Sequence, residues 1–246
     1  MMHFITKPEA LTEQSLLSAA TLVAWKKERG IYNFKSLPST AIIGIEKNIF
    51  SSQLNLFSKK LKGLRGNNYI SDAFVFCSGF GSGAPAIVTL LEELRVLGVE
   101  QFIFIGLAGI LSDNIKTGDA FCVDEALSGS GTTSYYATES LIHPYDPEFV
   151  QDIAHSVSLK MTCCFSTDSP FRETPSLIAN VKAKGCNMIE MECAAIYAFS
   201  QYYKLKAACI LLAADVLAEV WTPPAQHINL TAKQQELVTT LTKSLR

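Results

Sequence analysis

The chain lacks a basic block. Its 21 lysines and arginines are offset by 23 aspartates and glutamates along 246 residues, giving a net charge of −2. Tracking a phosphate backbone requires a concentrated cationic surface, so nucleic acid is disfavoured as a partner. The seven cysteines contain no CxxC pair and the four histidines stand alone, so the spacing offers no metal site. An odd, scattered set of cysteines fits reduced thiols in the cytoplasm rather than a disulfide framework. No apolar run reaches membrane-spanning length, and no internal repeat or low-complexity linker divides the chain. What is present is apolar: 48% of residues are hydrophobic and 18% charged, the balance of a globular protein with a large core.

The stretch from Ser15 to Trp25 is apolar enough to suggest a signal sequence. Glu9 and Glu13 outweigh Lys7 ahead of it, and no small-residue cleavage site follows. Leu16, Leu17, Ala20, Val23 and Ala24 fall at helical spacing, which predicts an amphipathic helix ending at Gly30. Residues 1–37 thus read as a helical extension of one domain whose core is residues 38–246.

Beyond it, short apolar runs alternate with helical patterns. Thr40–Ile45, Ala73–Cys77, Gln101–Ile105, Asp119–Val123, Lys160–Phe165 and Ala207–Leu212 read as strands. Helices are predicted through Leu54, Phe57 and Leu61; through Ile87 to Leu97, stopped by Gly98; after Pro147; after Pro175; and from Cys193 to Tyr203. This alternation implies an α/β protein, a mostly parallel sheet covered on both faces. Ligands of such sheets bind beyond the carboxyl ends of the strands. Gly44, Gly79, Gly106, Glu192 and Asp215 all fall just after predicted strands.

The most informative segment is Asn187 to Ala195, where an apolar approach ends in Glu190, Met191 and Glu192 ahead of a small-residue helix. Carboxylates in apolar company are paired or bind something. An acid beside a thioether suits a sugar, with hydroxyls that need acceptors and ring carbons that need an apolar face. Ser78-Gly79-Phe80-Gly81-Ser82-Gly83-Ala84 contains the dinucleotide pattern G-x-G-x-x-A, which would make the chain an NAD-dependent oxidoreductase. The acid that pattern expects about 20 residues on is replaced by Phe104, Ile105 and Gly106. What remains is either a tight turn or a loop whose N–H groups cradle an anion or a ribose. Gly106-Leu107-Ala108-Gly109 reads as a second strand-to-turn device beside it.

Asp215 follows a very apolar strand. It is either a partly desolvated acid, able to protonate a leaving group, or a helix N-cap. Between Ser166 and Thr174, Phe171 can stack on a planar base while Arg172 bonds its edge; the plainer alternative pairs Arg172 with Glu173 or Asp168. Asp168 reads as structural. Gly129 to Tyr136 reads as a flap or a plain surface loop.

Taken together, Cys77–Gly81, Ile105–Gly109, Lys116–Asp119, Gly131–Tyr135, Ser166–Asp168, Ile189–Ala195 and Ala214–Asp215 resemble the nucleoside phosphorylase-I family in motif and order, closest to its uridine phosphorylase-like branch. That resemblance implies a three-layer α/β/α fold with a mixed, mostly parallel central sheet. It implies cleavage of a nucleoside's N-glycosidic bond by phosphate, or by water as in the methylthioadenosine nucleosidase members; a member that binds a nucleoside without cleaving it is a third reading. No cofactor is implied beyond phosphate as co-substrate, and homo-oligomers are the rule, with His3 a residue that a neighbouring subunit could receive. Glu192, with Glu190 nearby, would hold the ribose hydroxyls, Met191 would lie beneath the sugar, Phe171 and Arg172 would meet the base, and Asp215 would act at N7 of a purine. The nucleophile region falls on Gly44, Glu46, Lys47, Gly79, Gly106 and Leu107. Here the chain departs from its resemblance: Phe104 and Leu107 stand where phosphorolytic members carry arginine and a hydroxyl residue. Lys47 or Arg65 would have to supply the charge. In the hydrolytic reading, which Asp124-Glu125 also favours, Glu46 is the base.

Overall fold

The computed structural model describes residues 11–54, 58–218 and 220–245. Its strands are β1 (Thr40–Gly44), β2 (Lys59–Lys60), β3 (Asn67–Ile70), β4 (Phe74–Ser78), β5 (Gln101–Ile110), β6 (Ala120–Gly129), β7 (Leu141–Ile142), β8 (Lys160–Thr167), β9 (Met188–Glu190), β10 (Lys206–Leu217) and β11 (Trp221–Thr222). The helices are α1 (Ala19–Glu28), α2 (Ala84–Val96), α3 (Pro147–Ser156), α4 (Pro175–Ala183), α5 (Cys193–Tyr203) and α6 (Leu230–Ser244). Side chains of Ser18, Asp146, Thr174 and Asn229 cap α1, α3, α4 and α6, satisfying N–H groups that a helix start leaves open. Among the described residues no helix is long and apolar enough to cross a membrane.

The sheet is mixed and both faces are covered. Alternation along β5 sends Phe102 and Phe104 into a core shared with α1, α2 and α5, and Ile103 and Ile105 into one shared with α3 and α6. The protein is therefore of the α/β class, with helices on either side of the sheet.

The position of the site follows from how β5 finds its neighbours. Along one side it pairs in parallel with β10 from Gln101 to Ala108. Along the other, β1 accompanies it only as far as Ile105, opposite Gly44, and antiparallel β9 takes over at Gly109 and Ile110. The ladder is split at Gly106 and Leu107. Because β9 pairs with β8, β8 with β6 and β6 with β10, these strands and β5 close into a five-stranded ring. A small core on these strands draws on Leu111, Leu127, Phe165, Ile189 and Leu217 together with Leu177, Ile178 and Val181 of the α4 region.

Several expectations are corrected. Gly106 to Gly109 is no turn: β5 runs through it, and neither glycine has a positive φ. Both are there for close packing. A Cβ at Gly106 would lie 2.7 Å from the Phe104 ring, and one at Gly109 would lie 2.3 Å from Leu217 Cδ1 and 3.0 Å from Ile189 Cγ2, where the ring closes. The segment after β1 forms turns rather than a helix through Leu54 and Leu61, and chain reversal is completed by β2 pairing with β3; Phe57 lies outside the described residues. The first helix starts at Ala19, so Leu16 and Leu17 precede it and stand exposed, as do Ala20 and Ala24. Its inner face is instead Val23 and Lys26, whose ammonium bonds Gly63 O at 2.8 Å and pairs with buried Glu93 of α2. The stretch 129–136 contains a 3-10 turn at Thr132–Tyr135 with Thr133 buried, and the Asp168 carboxylate accepts from Gly131 N at 2.8 Å. Asp168 is structural, as the sequence suggests. His3 lies outside the described residues.

Candidate active site

Three glycines with positive φ shape the loop between β4 and α2: Gly79 at +62°, Gly81 at +114° and Gly83 at +91°. A side chain would be strained at each. The loop folds back over the end of β1, where Gly79 N donates to Ile45 O at 3.1 Å. Together they wall a cleft of about 520 Å³ lined by Ile45, Glu46, Lys47, Asn48, Gly79, Gly81, Ser82 and Thr231. Among the described residues the N–H groups of Gly81 and Ser82 have no partner. Gly44 lies behind this wall, where a Cβ would meet Ile49 Cδ1 at 2.6 Å. Arg65 is not among the lining residues, and Lys47 is the cation that is.

At the far end of the loop, Gly83 N donates to Glu192 Oε1, and Met191 Cε lies 3.7 Å from the place a Gly83 Cβ would occupy. Glu192 is 3% exposed. Burial, with the neighbouring Glu190 charge adding to it, pushes its carboxyl up to about 8. It is thus a buried acid held by backbone N–H groups, at the point where the glycine loop meets the start of α5.

Glu190 serves a different purpose from the one its spacing suggests. Its Oε2 accepts from Glu192 N at 2.7 Å and Cys193 N at 2.8 Å, and its Oε1 accepts from Ser166 Oγ. Ser166 Oγ in turn accepts from Ala194 N at 2.9 Å. Glu190 and Ser166 therefore satisfy the first N–H groups of α5 and fix the helix start that presents Glu192. Burial pushes the Glu190 carboxyl up while these donors pull it down. Its oxygens are engaged within the protein rather than turned to a ligand. The Glu190 carboxylate and the Cys164 and Cys193 thiols have ligand atoms within 4.8 Å of one another. A cation there would compete with three hydrogen-bond donors and the positive end of α5, so the donor set does not suit a metal.

Asp215 lies inside β10 rather than at a helix start. The pairing with β5 slips between Ala213 and Val216, and the carboxylate is released there at the carboxyl end of the ring. It is partly buried, accepts from Trp221 Nε1 at 2.6 Å, and its Oδ1 lies 3.6 Å from where a Cβ on Gly109 would be. Trp221 returns beside Asp215 because β11 pairs antiparallel with β10, opposite Leu217.

The sequence does not single out Glu173 as a site residue. It follows the 3-10 turn Pro170–Arg172, and burial together with the Asp215 charge pushes its carboxyl up to about 7. Phe171 is 98% exposed on that turn. Arg172 is exposed and, among the described residues, pairs with neither Glu173 nor Asp168. Phe104 is buried in the core against α2 and α5, and Leu107 packs among apolar side chains on the other face, so neither position offers a polar group.

Three groups thus stand at the carboxyl ends of the strands. They are the Lys47 cleft, the Glu192–Met191 corner and Asp215 with Glu173.

The fold is shared with proteins of known structure. The structure superposes on a purine nucleoside phosphorylase from Toxoplasma gondii with a TM-score of 0.73, at 18% identity over 85% of this chain and 90% of that one. It superposes on a uridine phosphorylase from Vibrio fischeri ES114 with a TM-score of 0.72, at 21% identity over 85% and 92%. In sequence it is similar to a DeoD-type purine nucleoside phosphorylase of Brevibacillus brevis, 27% identical over 148 residues covering 57% of this chain and 63% of that relative. The chain spans about three fifths of the length of the curated relatives it matches. Residues 61–246, from the end of the first crossover to the last residue, match the profile that defines the phosphorylase superfamily, and the chain belongs to that family.

Proposed function

We propose that the chain cleaves the N-glycosidic bond of a purine nucleoside by phosphorolysis, releasing the base and ribose 1-phosphate. One observation carries the reading: Glu192, a nearly inaccessible carboxyl beside Met191, is bonded by the glycine loop that also walls the Lys47 cleft, and a second acid, Asp215, stands at the carboxyl end of β10. Glycosidic cleavage needs that order of parts. Positive charge builds on the sugar as the C1′–N9 bond lengthens, and negative charge builds on the base. Glu192 accepts the ribose hydroxyls and, when ionised by that contact, favours the cationic sugar, while Met191 lies beneath the ring. Asp215 donates to N7 and neutralises the leaving base, an effect worth ~10²–10⁴-fold. Phe171 and Arg172, exposed on the turn before Glu173, are the groups to meet the base from outside.

Phosphate is assigned to the 520 Å³ cleft, with Lys47 as its counter-charge and the N–H groups of Gly81 and Ser82 as donors. No cofactor takes part. The reaction belongs in the cytoplasm, in keeping with seven free thiols. Exposed Leu16, Leu17, Trp25, Tyr135 and Tyr202 are surface suited to a homo-oligomer contact. A second reading, hydrolysis, has its own support: Glu46 lines the same cleft and could activate water.

Base release from a nucleoside panel with and without phosphate separates them. Phosphate-dependent release with ribose 1-phosphate as product sustains phosphorolysis. Equal release in its absence, with free ribose, replaces it by hydrolysis.

A further inference from the structure

The two strands that set Glu190 against Ser166 hold a pair of facing thiols at their other end. β8 and β9 run parallel, with Cys164 opposite Met188 and Ser166 opposite Glu190. Just ahead of that ladder Asn187 N donates to Cys163 O at 3.0 Å, which holds the two chains side by side. Cys163 and Cys186 both pack into the small core with Phe165 and Ile189, and their sulfurs lie 3.2 Å apart. Of the seven thiols Cys163 alone is not buried. Glu125, opposite it on β6, has a side chain 44% exposed, so this side of the pair borders solvent. Cys164 and Cys193 belong instead to the core around α5 and are fully buried.

The two cysteines are 23 positions apart, and between them the chain leaves the sheet. That excursion carries the 3-10 turn with exposed Phe171 and Arg172, then Glu173, then α4. Gly185, with φ at +88°, turns the chain back into Cys186.

We propose that Cys163 and Cys186 are an oxidant-sensitive pair: reduced thiols here, they close to a disulfide under a hydroperoxide and clamp the foot of the excursion that carries Phe171, Arg172 and Glu173. The sulfurs need to approach by ~1 Å to reach the bonding distance of about 2 Å, which side-chain rotation supplies where the main chains are already adjacent. In a reducing compartment such a bridge is made and unmade rather than permanent.

The electrons and protons balance. The hydrogen bond from Cys163 holds the Cys186 thiol below its ordinary value, so Cys186 supplies the thiolate. Its sulfur takes one oxygen of the hydroperoxide as the O–O bond breaks, and the departing oxygen takes up the proton that Cys186 released. The Cys163 sulfur then attacks the sulfenic sulfur of Cys186. The S–S bond forms, the S–O bond breaks, and hydroxide leaves with the Cys163 proton as water. Two thiols have given up two electrons and one hydroperoxide has been reduced.

The test treats the full chain with hydrogen peroxide and compares it with protein kept in dithiothreitol. Oxidised protein is expected to lose the mass of two hydrogens and two of its seven free thiols. Its digest should contain one new peptide joining Cys163 to Cys186, and dithiothreitol should reverse all three changes. Amide exchange between residues 168 and 175 should slow by about threefold or more, because closing the foot of a loop removes its open conformations. Cys163→Ala should abolish the bridge, and Cys164→Ala should leave it. A bridge between other cysteines, a sulfinic acid at Cys186 in place of a bridge, or unchanged exchange in the excursion overturns the proposal. So does survival of all seven thiols. These four outcomes are read on wild type, and none depends on turnover.

Discussion

Replacing Glu192 with Gln should change how the stability of the empty protein depends on pH. The Glu192 carboxyl moves from an ordinary value of 4.5 to about 8 on folding, chiefly because it is buried. Between those values the native state keeps a proton that the unfolded chain has released. Stability is therefore greatest below the lower value, falls as pH rises through the window and levels off above about 8. At about 1.4 kcal/mol per unit the whole window is worth ~5 kcal/mol at most, part of it owed to Glu190. Allowing for partial titration near the upper end, the fall between pH 6 and pH 8 comes to about 2 kcal/mol. For a chain of this length that is a drop in Tm of roughly 4–8 °C. Glutamine keeps a carbonyl for Gly83 N and cannot ionise, so Glu192→Gln should remove most of this drop. Thermal unfolding of both proteins at pH 6, 7 and 8 is the assay. Glu173 contributes with the same sign but is half exposed and better solvated, so Glu173→Gln is the control and should flatten the curve less. Parallel curves for wild type and Glu192→Gln would refute the claim that this acid is buried protonated. The same variant should bind nucleoside far more weakly, because a ribose-facing amide oxygen lacks the charge.

Other predictions follow from the same geometry. Asp215→Asn should slow purine release ~10²–10⁴-fold in kcat with little change in nucleoside binding; wild-type rates in a single-turnover assay would remove it as the acid. Lys47→Met should raise KM for phosphate at least tenfold and leave KM for the nucleoside nearly unchanged, and a variant with unaltered phosphate dependence would move the phosphate elsewhere. Gly109→Ala puts a methyl 2.3 Å from Leu217 and 3.0 Å from Ile189, so it should cost ~1–3 kcal/mol by urea unfolding and lower kcat by shifting Asp215. No loss on either measure would mean that the ring seam is looser than its packing implies.

Much of this was legible in sequence because the signals were local. Runs such as Ala41–Ile43 and Ala207–Leu212 become strands with no accessible surface in most positions, since an apolar run bounded by polar residues has few other places to go. The pair Glu190 and Glu192 stood out for the same reason: carboxylates in an apolar setting need partners. Their roles were not legible, because spacing cannot tell which acid will be consumed by the helix it precedes. Glycine misled at Gly106 and Gly109, where its use is the absence of a side chain rather than access to positive φ, and only neighbours from β9 and β10 reveal that. Leu16 and Leu17 fitted a helical stripe, yet the Ser18 side chain starts α1 after them by accepting from Thr21 N. Glu173 carried no local signal at all. Its raised carboxyl reflects burial and the charge of Asp215, 42 positions later in the chain.

Ring closure also limits where the sheet can recruit another chain. A closed circuit has no outer strand, so among the described residues the order ends at β2 and β11, with β7 as a branch on β6, each two residues long. At one end stand Lys59 and Lys60, both exposed, whose like charges repel a docking strand. At the other, Trp221 is tied by its indole to Asp215 and the strand stops after Thr222. Short termini of this kind offer too few open N–H and C=O groups to template cross-β growth, which for a chain this apolar is a safeguard against aggregation. Lengthening β2 while neutralising its two lysines would be the most direct way to lose it.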